Sequence, residues 1–433
     1  MQQDPDNAMA TSGLGVALSH TGRFEEAIAY LQHARVLRPD KVDSWGHLAN
    51  CLLRAGRTSA AFEIYADAFA MSLNSSNLVI GTVKDRDIKL PQSGKSRLRH
   101  DIQQLQLLKE RGLGDAALIQ KHQNALLKVL GAHEGKPATL NTVDSLGARV
   151  GVDYDDRHEK DNIYLSNEQL QLLAPGINKA LHFNPTPRVP GSVLNPDLDL
   201  ERTQADFVGS DPSFVVIDDV FKPEVVDKLV HFIEENTIWN ALKKRGYICS
   251  FMDWGFASPL IAQVVEDLAQ HLPQIVCNHT LRMAWGYKYD DTGSDGIGVH
   301  ADEAAVNINC WVTDDASNLD KDTGGMLVWA KKPPAHWTFD MYNGDEGLDM
   351  IQDLLNNKDQ AVQVPHKRNR CVMFDSTLFH TTDEIHFKRG YTNRRINLTF
   401  LYGNMGESCA AASRRKAMQV KERRDYGMGW GMV

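Results

Sequence analysis

The chain has 433 residues, room for two or three domains, and its 42% hydrophobic and 24% charged content suits a globular protein with sizeable cores. Forty-seven basic residues against 56 acidic ones leave a net charge of −9, which argues against a nucleic-acid partner. No run of about 18 apolar residues is present to span a membrane, and the opening MQQDPDNAMA lacks the basic, apolar and small-residue regions of a signal peptide. A cytoplasmic protein is therefore expected. The six cysteines (Cys51, Cys249, Cys277, Cys310, Cys371, Cys409) are scattered without a CxxC pair. They read as reduced core thiols rather than as a disulfide framework or a zinc site.

The first element is a repeat. Leu14, Gly15, Leu18, Gly22, Phe24, Ala27, Leu31, Ala34 and Pro39 recur 34 residues later as Leu48, Ala49, Leu52, Gly56, Thr58, Ala61, Tyr65, Ala68 and Leu73. Small residues at Gly15 and Ala49 let paired helices approach closely, and Gly22 and Gly56 make the turns. With Trp45 at the aromatic opening position, the pattern resembles the tetratricopeptide repeat. Two such units cannot bury their faces alone, so further helices should continue the stack. Ile102, Leu105 and Leu108 share a helical face, as do Leu118, Ala125, Leu126 and Val129 before Gly131. A helical-repeat domain is expected over residues 6–131. Its surface could bind peptides, join two copies as a homodimer, or act as a rigid spacer.

A connector is expected over residues 132–212. Ser166 caps a short helix in SNEQLQLLA, and Pro185, Pro187, Pro190 and Pro196 then forbid helix. Residues 213–404 read as β-rich: FVVIDDV as a strand, an amphipathic helix over 222–236, and a second helix opening at Ser258 and Pro259. Short strands follow as LRMAWGYKY, IGVHAD, AVNINCWVT, GGMLVWA, RCVMF and RRINLTFLYG. Their spacing between Gly- and Asp-rich turns predicts a barrel or jelly roll. Residues 405–433 form a basic tail containing RRKAMQVKERR.

The chemistry concentrates at Gly298-Val299-His300-Ala301-Asp302. Residues two apart on a strand share a face, so His300 and Asp302 can reach one ion. His380, directly after the apolar run VMFDSTLF, is the preferred third ligand, with His386 as its rival. Two imidazoles and one carboxylate suit iron(II) and leave coordination positions open. Fifteen residues past His380, Arg395 opens the strand RINLTFLYG, where a buried guanidinium can clamp a carboxylate in a bidentate pair. Arg394 is its neighbour, but alternation lets only one of the two face inward. On AVNINCWVT, Asn307, Asn309 and Trp311 share the face taken as inward, and Thr399 shares the parity of Arg395.

The order His-x-Asp, distant His, then Arg resembles the Fe(II)- and 2-oxoglutarate-dependent oxygenase superfamily, and more closely those members that carry their own tetratricopeptide repeats. The resemblance covers roughly residues 212–403. It implies a double-stranded β-helix fold, Fe(II) held by His300, Asp302 and His380, and 2-oxoglutarate anchored by Arg395, with Tyr289 near the cosubstrate. Asn309 and Thr399 are taken as further cosubstrate-pocket residues, and O2 is the second cosubstrate. It further implies hydroxylation, or a related desaturation or cyclisation, with release of succinate and CO2, because halogenating relatives lack the carboxylate that Asp302 supplies. The substrate would be a peptide or protein, or a small amino-acid-like molecule. The insertion over 331–360, carrying Trp337, Phe339, Met341 and Tyr342, is a candidate substrate lid. The alternative function is a repeat-based adaptor with an inactive oxygenase domain.

Overall fold

The structure is a computed structural model that describes residues 7–39, 42–73, 92–134, 162–243, 246–289, 296–343, 350–351, 354–355 and 361–429. The expectations for residues 135–161 of the connector and for 344–349, 352–353 and 356–360 of the insertion fall outside these. The chain opens with two antiparallel helix pairs, α1 (Ala8–His20) with α2 (Phe24–Leu37) and α3 (Val42–Arg54) with α4 (Thr58–Leu73). Asn7 caps α1 by accepting from the Met9 and Ala10 amides. A Cβ at Gly15 would sit 2.6 Å from Leu31 Cγ, so only glycine permits this approach of α1 to α2. Gly22 and Gly56 both turn with positive φ, as the repeat requires.

The strand β1 (Gln92–Gly94) leads into α5 (Lys95–Glu110) and α6 (Ala116–His133). Beyond them come β2 (Asn162–Tyr164), paired with β1, and α7 (Asn167–Leu173). Ser166 and Gln169 close a reciprocal capping box on α7. Leu105, Leu108, Leu126, Val129 and Leu173 bury one another in a small separate core.

The second half holds α8 (Leu200–Gly209), β3 (Phe214–Ile217), α9 (Pro223–Glu235), β4 (Ala241–Lys243), β5 (Tyr247–Phe251), α10 (Pro259–His271) and β6 (Leu281–Tyr289). Then come β7 (Val306–Trp311), β8 (Met326–Trp329), α11 (Phe339–Asn343), β9 (Ala361–Val364), β10 (Arg370–Asp375), β11 (His380–Thr382) and β12 (Ile396–Tyr402), before a C-terminal helix, Cys409–Gly429. Seven strands form one antiparallel sheet in the order β3-β10-β7-β12-β6-β5-β4, and a small sheet β11-β8-β9 lies opposite it. Trp311, Met326, Val328, Val372 and Phe374 pack between the two sheets as a shared core. This is a double-stranded β-helix. Its outer face is covered by α9, the amphipathic helix expected over 222–236, and by α10, which Ser258 caps through the Ile261 amide.

The repeat helices are not a loose appendage. Phe62, Tyr65 and Phe69 of α4 are buried in the same continuous core as Leu229, Phe232, Ile261 and Val265 of α9 and α10. Gly255, at φ +96°, leaves room for the Phe69 ring: a Cβ there would lie 2.8 Å from Phe69 Cε1. The C-terminal helix closes the same junction, with Gln419 donating to the Arg54 carbonyl at 3.0 Å.

Two sequence expectations need correction. The cysteines are not all thiols: Cys277–Cys409 and Cys310–Cys371 are disulfide-bonded, while Cys51 and Cys249 are buried and take no part in these two bonds. The partners are 132 and 61 residues apart. They meet only through tertiary structure, Cys310 and Cys371 as register partners on β7 and β10, so no local spacing announces them. IGVHAD is not a strand either. Its one ladder position is a bridge between His300 and His380, and Asp302 instead donates its amide to the Ser376 carbonyl at 3.0 Å. Among the described residues, no helix is long and apolar enough to cross a membrane.

Candidate metal centre and its cleft

The bridge that replaces the expected strand holds the two histidines together. His300 donates its amide to the His380 carbonyl at 3.0 Å, and His380 returns the bond at 2.9 Å. Each imidazole is then oriented by its own backbone: His300 Nδ1 meets the Gly298 carbonyl at 2.8 Å, and His380 Nδ1 meets that of Leu378 at 2.9 Å. A ring nitrogen facing a carbonyl must carry the proton, so both Nε2 atoms keep a free lone pair. These lone pairs point toward Asp302: His300 Nε2 lies 3.8 Å from Oδ1, and His380 Nε2 lies 3.4 Å from Oδ2. The ligand atoms of His300, Asp302 and His380 all lie within 4.8 Å of one another. One ion can be held by all three. His386 is not part of this group, and its half-exposed ring lies beside Glu384.

The electrostatics suit a cation. Burial, with the neighbouring His380, lowers the His300 pKa to about 4, so its imidazole is neutral at ordinary pH. Burial alone would raise Asp302, but its hydrogen bonds and the adjacent histidines outweigh burial and hold it below the usual carboxylate range. The carboxylate is aimed by a side-chain ladder across β7 and β12. Asn307 Nδ2 donates to Asp302 Oδ2 at 2.6 Å, and Asn309 Nδ2 donates to Asn307 Oδ1 at 2.7 Å. Asn309 Oδ1 accepts in turn from Asn397 Nδ2 at 2.8 Å and from Thr399 Oγ1 at 2.9 Å. Asn309 and Thr399 thus line the cleft while bonded to each other. Such outer partners fix ligand orientation in metal sites.

The triad opens on a cleft of about 230 Å³ between the two sheets. At its far end Arg395 is buried, with its guanidinium 4.5 Å from the Tyr289 ring centroid. Nε donates to the Gly324 carbonyl and Nη2 to that of Gly325 at 2.9 Å, while Nη1 is buried with no partner among the described residues. A desolvated cation with an orphan donor facing a cavity fits an anionic ligand. Burial also lowers the Arg395 pKa from its ordinary value, the cost an incoming carboxylate would offset. Tyr289 OH lies 3.3 Å from Thr382 Oγ1, which ties this end to the strand that begins at His380.

Strand alternation sends Lys288 and Arg394 to the opposite face, directly behind Tyr289 and Arg395. There α5 receives Arg394, while Lys288 meets Tyr391 and the Ile233 carbonyl of α9. Gln103 Oε1 accepts from Arg394 Nε at 3.1 Å and from Nη2 at 2.9 Å, and Arg394 Nη1 donates to the Tyr289 carbonyl at 3.3 Å. Lys288 Nζ donates to Tyr391 OH at 2.7 Å. Alongside, Gln104 Nε2 bonds the Glu234 and Asn236 carbonyls at the end of α9. This helix therefore supports the floor of the cleft, although the repeat pattern alone suggests only a continued stack.

The described part of the 331–360 insertion does not line the cleft. Tyr342 is buried edge-on against Phe379, and the Asn343 side chain bonds both the amide and the carbonyl of Ala301, between two of the triad residues. Tyr342, with Trp337 partly buried beside it, packs behind the ligand loop, while Phe339 stays exposed. This part is a brace rather than the expected lid. The cleft walls come instead from Phe251, Met283, Trp285 and Tyr287, which the sequence reading overlooked. The alternation in LRMAWGYKY was the available signal for three of them.

The tetratricopeptide repeat family model matches residues 6–74. No curated protein matches the chain. Solved structures similar to it include the non-heme α-ketoglutarate-dependent carbocyclase SnoK from nogalamycin biosynthesis, at 12% identity over 49% of this chain and 87% of that one, TM-score 0.34. A Pseudomonas putida prolyl-4-hydroxylase is 14% identical over 48% of this chain and all of its own, with a TM-score of 0.31. EctD from S. alaskensis with bound Fe is 14% identical over 51% and 84%, with a TM-score of 0.35.

Proposed function

We propose that the chain is an Fe(II)- and 2-oxoglutarate-dependent oxygenase that hydroxylates an unactivated C–H bond of a peptide, protein or small amino-acid-like substrate. One observation carries the reading: two imidazoles and a carboxylate converge in the same cleft as a buried arginine with an N–H unpartnered among the described residues. In this reading His300, Asp302 and His380 would hold Fe(II). Arg395 binds the distal carboxylate of 2-oxoglutarate, and the Tyr289 ring keeps the guanidinium in place. Asn307 keeps the Asp302 carboxylate turned to the metal. The apolar walls exclude water from the reacting end. With O2 and the cosubstrate, the iron supplies the oxidising power, giving succinate and CO2 as coproducts.

The repeat helices leave Met9, Leu14, Tyr30 and Val36 exposed, which supports a docking role for a peptide substrate or a second copy of the chain. The test of the whole reading is oxygen-dependent succinate formation by the Fe(II)-loaded protein. A slow basal rate that rises with the right substrate is expected. Iron-loaded protein that binds 2-oxoglutarate yet never forms succinate, with any candidate, would overturn it.

A second expectation concerns Gln103, which accepts from Arg394, itself bonded to the Tyr289 carbonyl. Gln103→Leu should raise the apparent KM for 2-oxoglutarate by roughly 3–10-fold, a fraction of the ~1.5–3 kcal/mol of a hydrogen bond to a charged group, because the loss reaches the cosubstrate indirectly through Arg394. kcat at saturating cosubstrate should change little. Gln103→Glu keeps an acceptor for Arg394 and should restore the wild-type KM. A KM unchanged in both variants would reduce α5 to simple packing.

A further inference from the structure

One face of β6 serves two ends of the cleft. Met283, Trp285, Tyr287 and Tyr289 alternate along the strand and all line it. Tyr289 belongs to the arginine end. The others continue toward solvent, where Met283 is 41% exposed. Phe251 on β5 is the register partner of Trp285, so the neighbouring strand adds a third ring. The ring centroids are 6.1 Å apart for Phe251 and Trp285, and 5.8 Å apart for Trp285 and Tyr287, with the planes tilted. None of this wall is accounted for by metal or cosubstrate binding.

Two features say what the wall would hold. Trp285 is 7% exposed, yet its indole N–H is buried with no partner among the described residues. A buried donor left unpaired is costly, and at a cleft it marks where a ligand acceptor belongs. The wall itself carries no ionised group: burial pushes the Tyr287 phenol well above its ordinary range, so it stays neutral. An ammonium or carboxylate placed there would lose its hydration without gaining a counter-charge from the wall. Tilted aromatic faces instead favour a flat or puckered ring packed between them.

We propose that Phe251, Trp285 and Tyr287 form the substrate subsite, and that it takes an uncharged ring-bearing group next to a carbonyl, which accepts from Trp285 Nε1. The inference rests on the oxygenase reading and names its substrate class. Ring selection comes from the three aromatic faces, and placement comes from the single N–H.

The test uses the full chain with Fe(II) and 2-oxoglutarate under anaerobic conditions, titrated with N-acetyl amides of phenylalanine, proline, leucine, lysine and aspartate. The readout is the shift of the visible absorption band on probe binding. The phenylalanine and proline amides should shift the band at concentrations at least ten-fold lower than the lysine and aspartate amides. Trp285→Phe retains the ring and loses the N–H, and should weaken the ring amides about ten-fold, the size of one buried hydrogen bond. Phe251→Leu should erode the preference for rings over leucine. A stronger response to the lysine amide would make the wall a cation site and overturn the proposal, as would a response to no amide at all. Unchanged binding in Trp285→Phe would overturn the role of the N–H. Absence of the band before any probe is added would instead sink the oxygenase reading itself.

Discussion

Changing His300, Asp302 or His380 to Ala should abolish the visible band of the anaerobic Fe(II)–2-oxoglutarate complex, and succinate formation with it. Each supplies one of three donors that lie within 4.8 Å of one another, and no other His, Cys, Asp or Glu among the described residues joins that group. Loss of a ligand should exceed the roughly 10–100-fold penalty of disturbing an outer partner. Asn307→Ala provides that comparison. It leaves the three donors in place but removes the 2.6 Å bond to Asp302, so iron affinity should fall about ten-fold while the band survives at saturating metal. His386→Ala should leave both band and turnover intact, because its exposed ring faces Glu384 rather than the cleft. A normal band in His380→Ala would remove that residue from the centre and return the assignment to His386.

Where a signal was local, the sequence made it legible. The 34-residue period placed the paired helices, because close packing at Gly15 and turning at Gly22 require particular residues at fixed offsets. Capping chemistry placed the starts of α7 and α10. Strand parity separated Arg395 from Arg394, since a period of two leaves no choice once one face is assigned. Non-local features were hidden. The disulfides join residues far apart in the chain, and the ladder from Asp302 to Thr399 crosses between β7 and β12. The Gln103 contact bridges 291 residues. The His-x-Asp segment shows the opposite error. Its pattern is that of a strand, but ladder bonding stops at one bridge, and Asp302 is aimed by Asn307 and Ser376 instead. In the insertion, Trp337 and Tyr342 signalled burial correctly without indicating which surface they would cover.

Arg395→Ala should raise the apparent KM for 2-oxoglutarate by about 30-fold or more, from the ~2–5 kcal/mol lost with a buried, charge-assisted pair. The reason is geometric as well as electrostatic. Two guanidinium nitrogens are fixed by the Gly324 and Gly325 carbonyls, and Tyr289 stacks on the plane, so Nη1 is held in position before any ligand arrives. Arg395→Lys should recover only part of the affinity. A lysine keeps the charge but cannot make the forked contact or stack flat on the tyrosine. Arg394→Ala is the control, although it is not silent: it frees the Tyr289 carbonyl and leaves Gln103 facing a gap, so thermal stability should drop and KM should rise several-fold. The two arginines are therefore expected to differ in kind, with Arg395 setting cosubstrate affinity and Arg394 the rigidity beneath it. Iron binding without cosubstrate should be unchanged in Arg395→Ala, which separates loss of the anchor from collapse of the site. Equal rises in KM for the two alanine variants, at equal melting temperature, would show that neither side chain is the anchor.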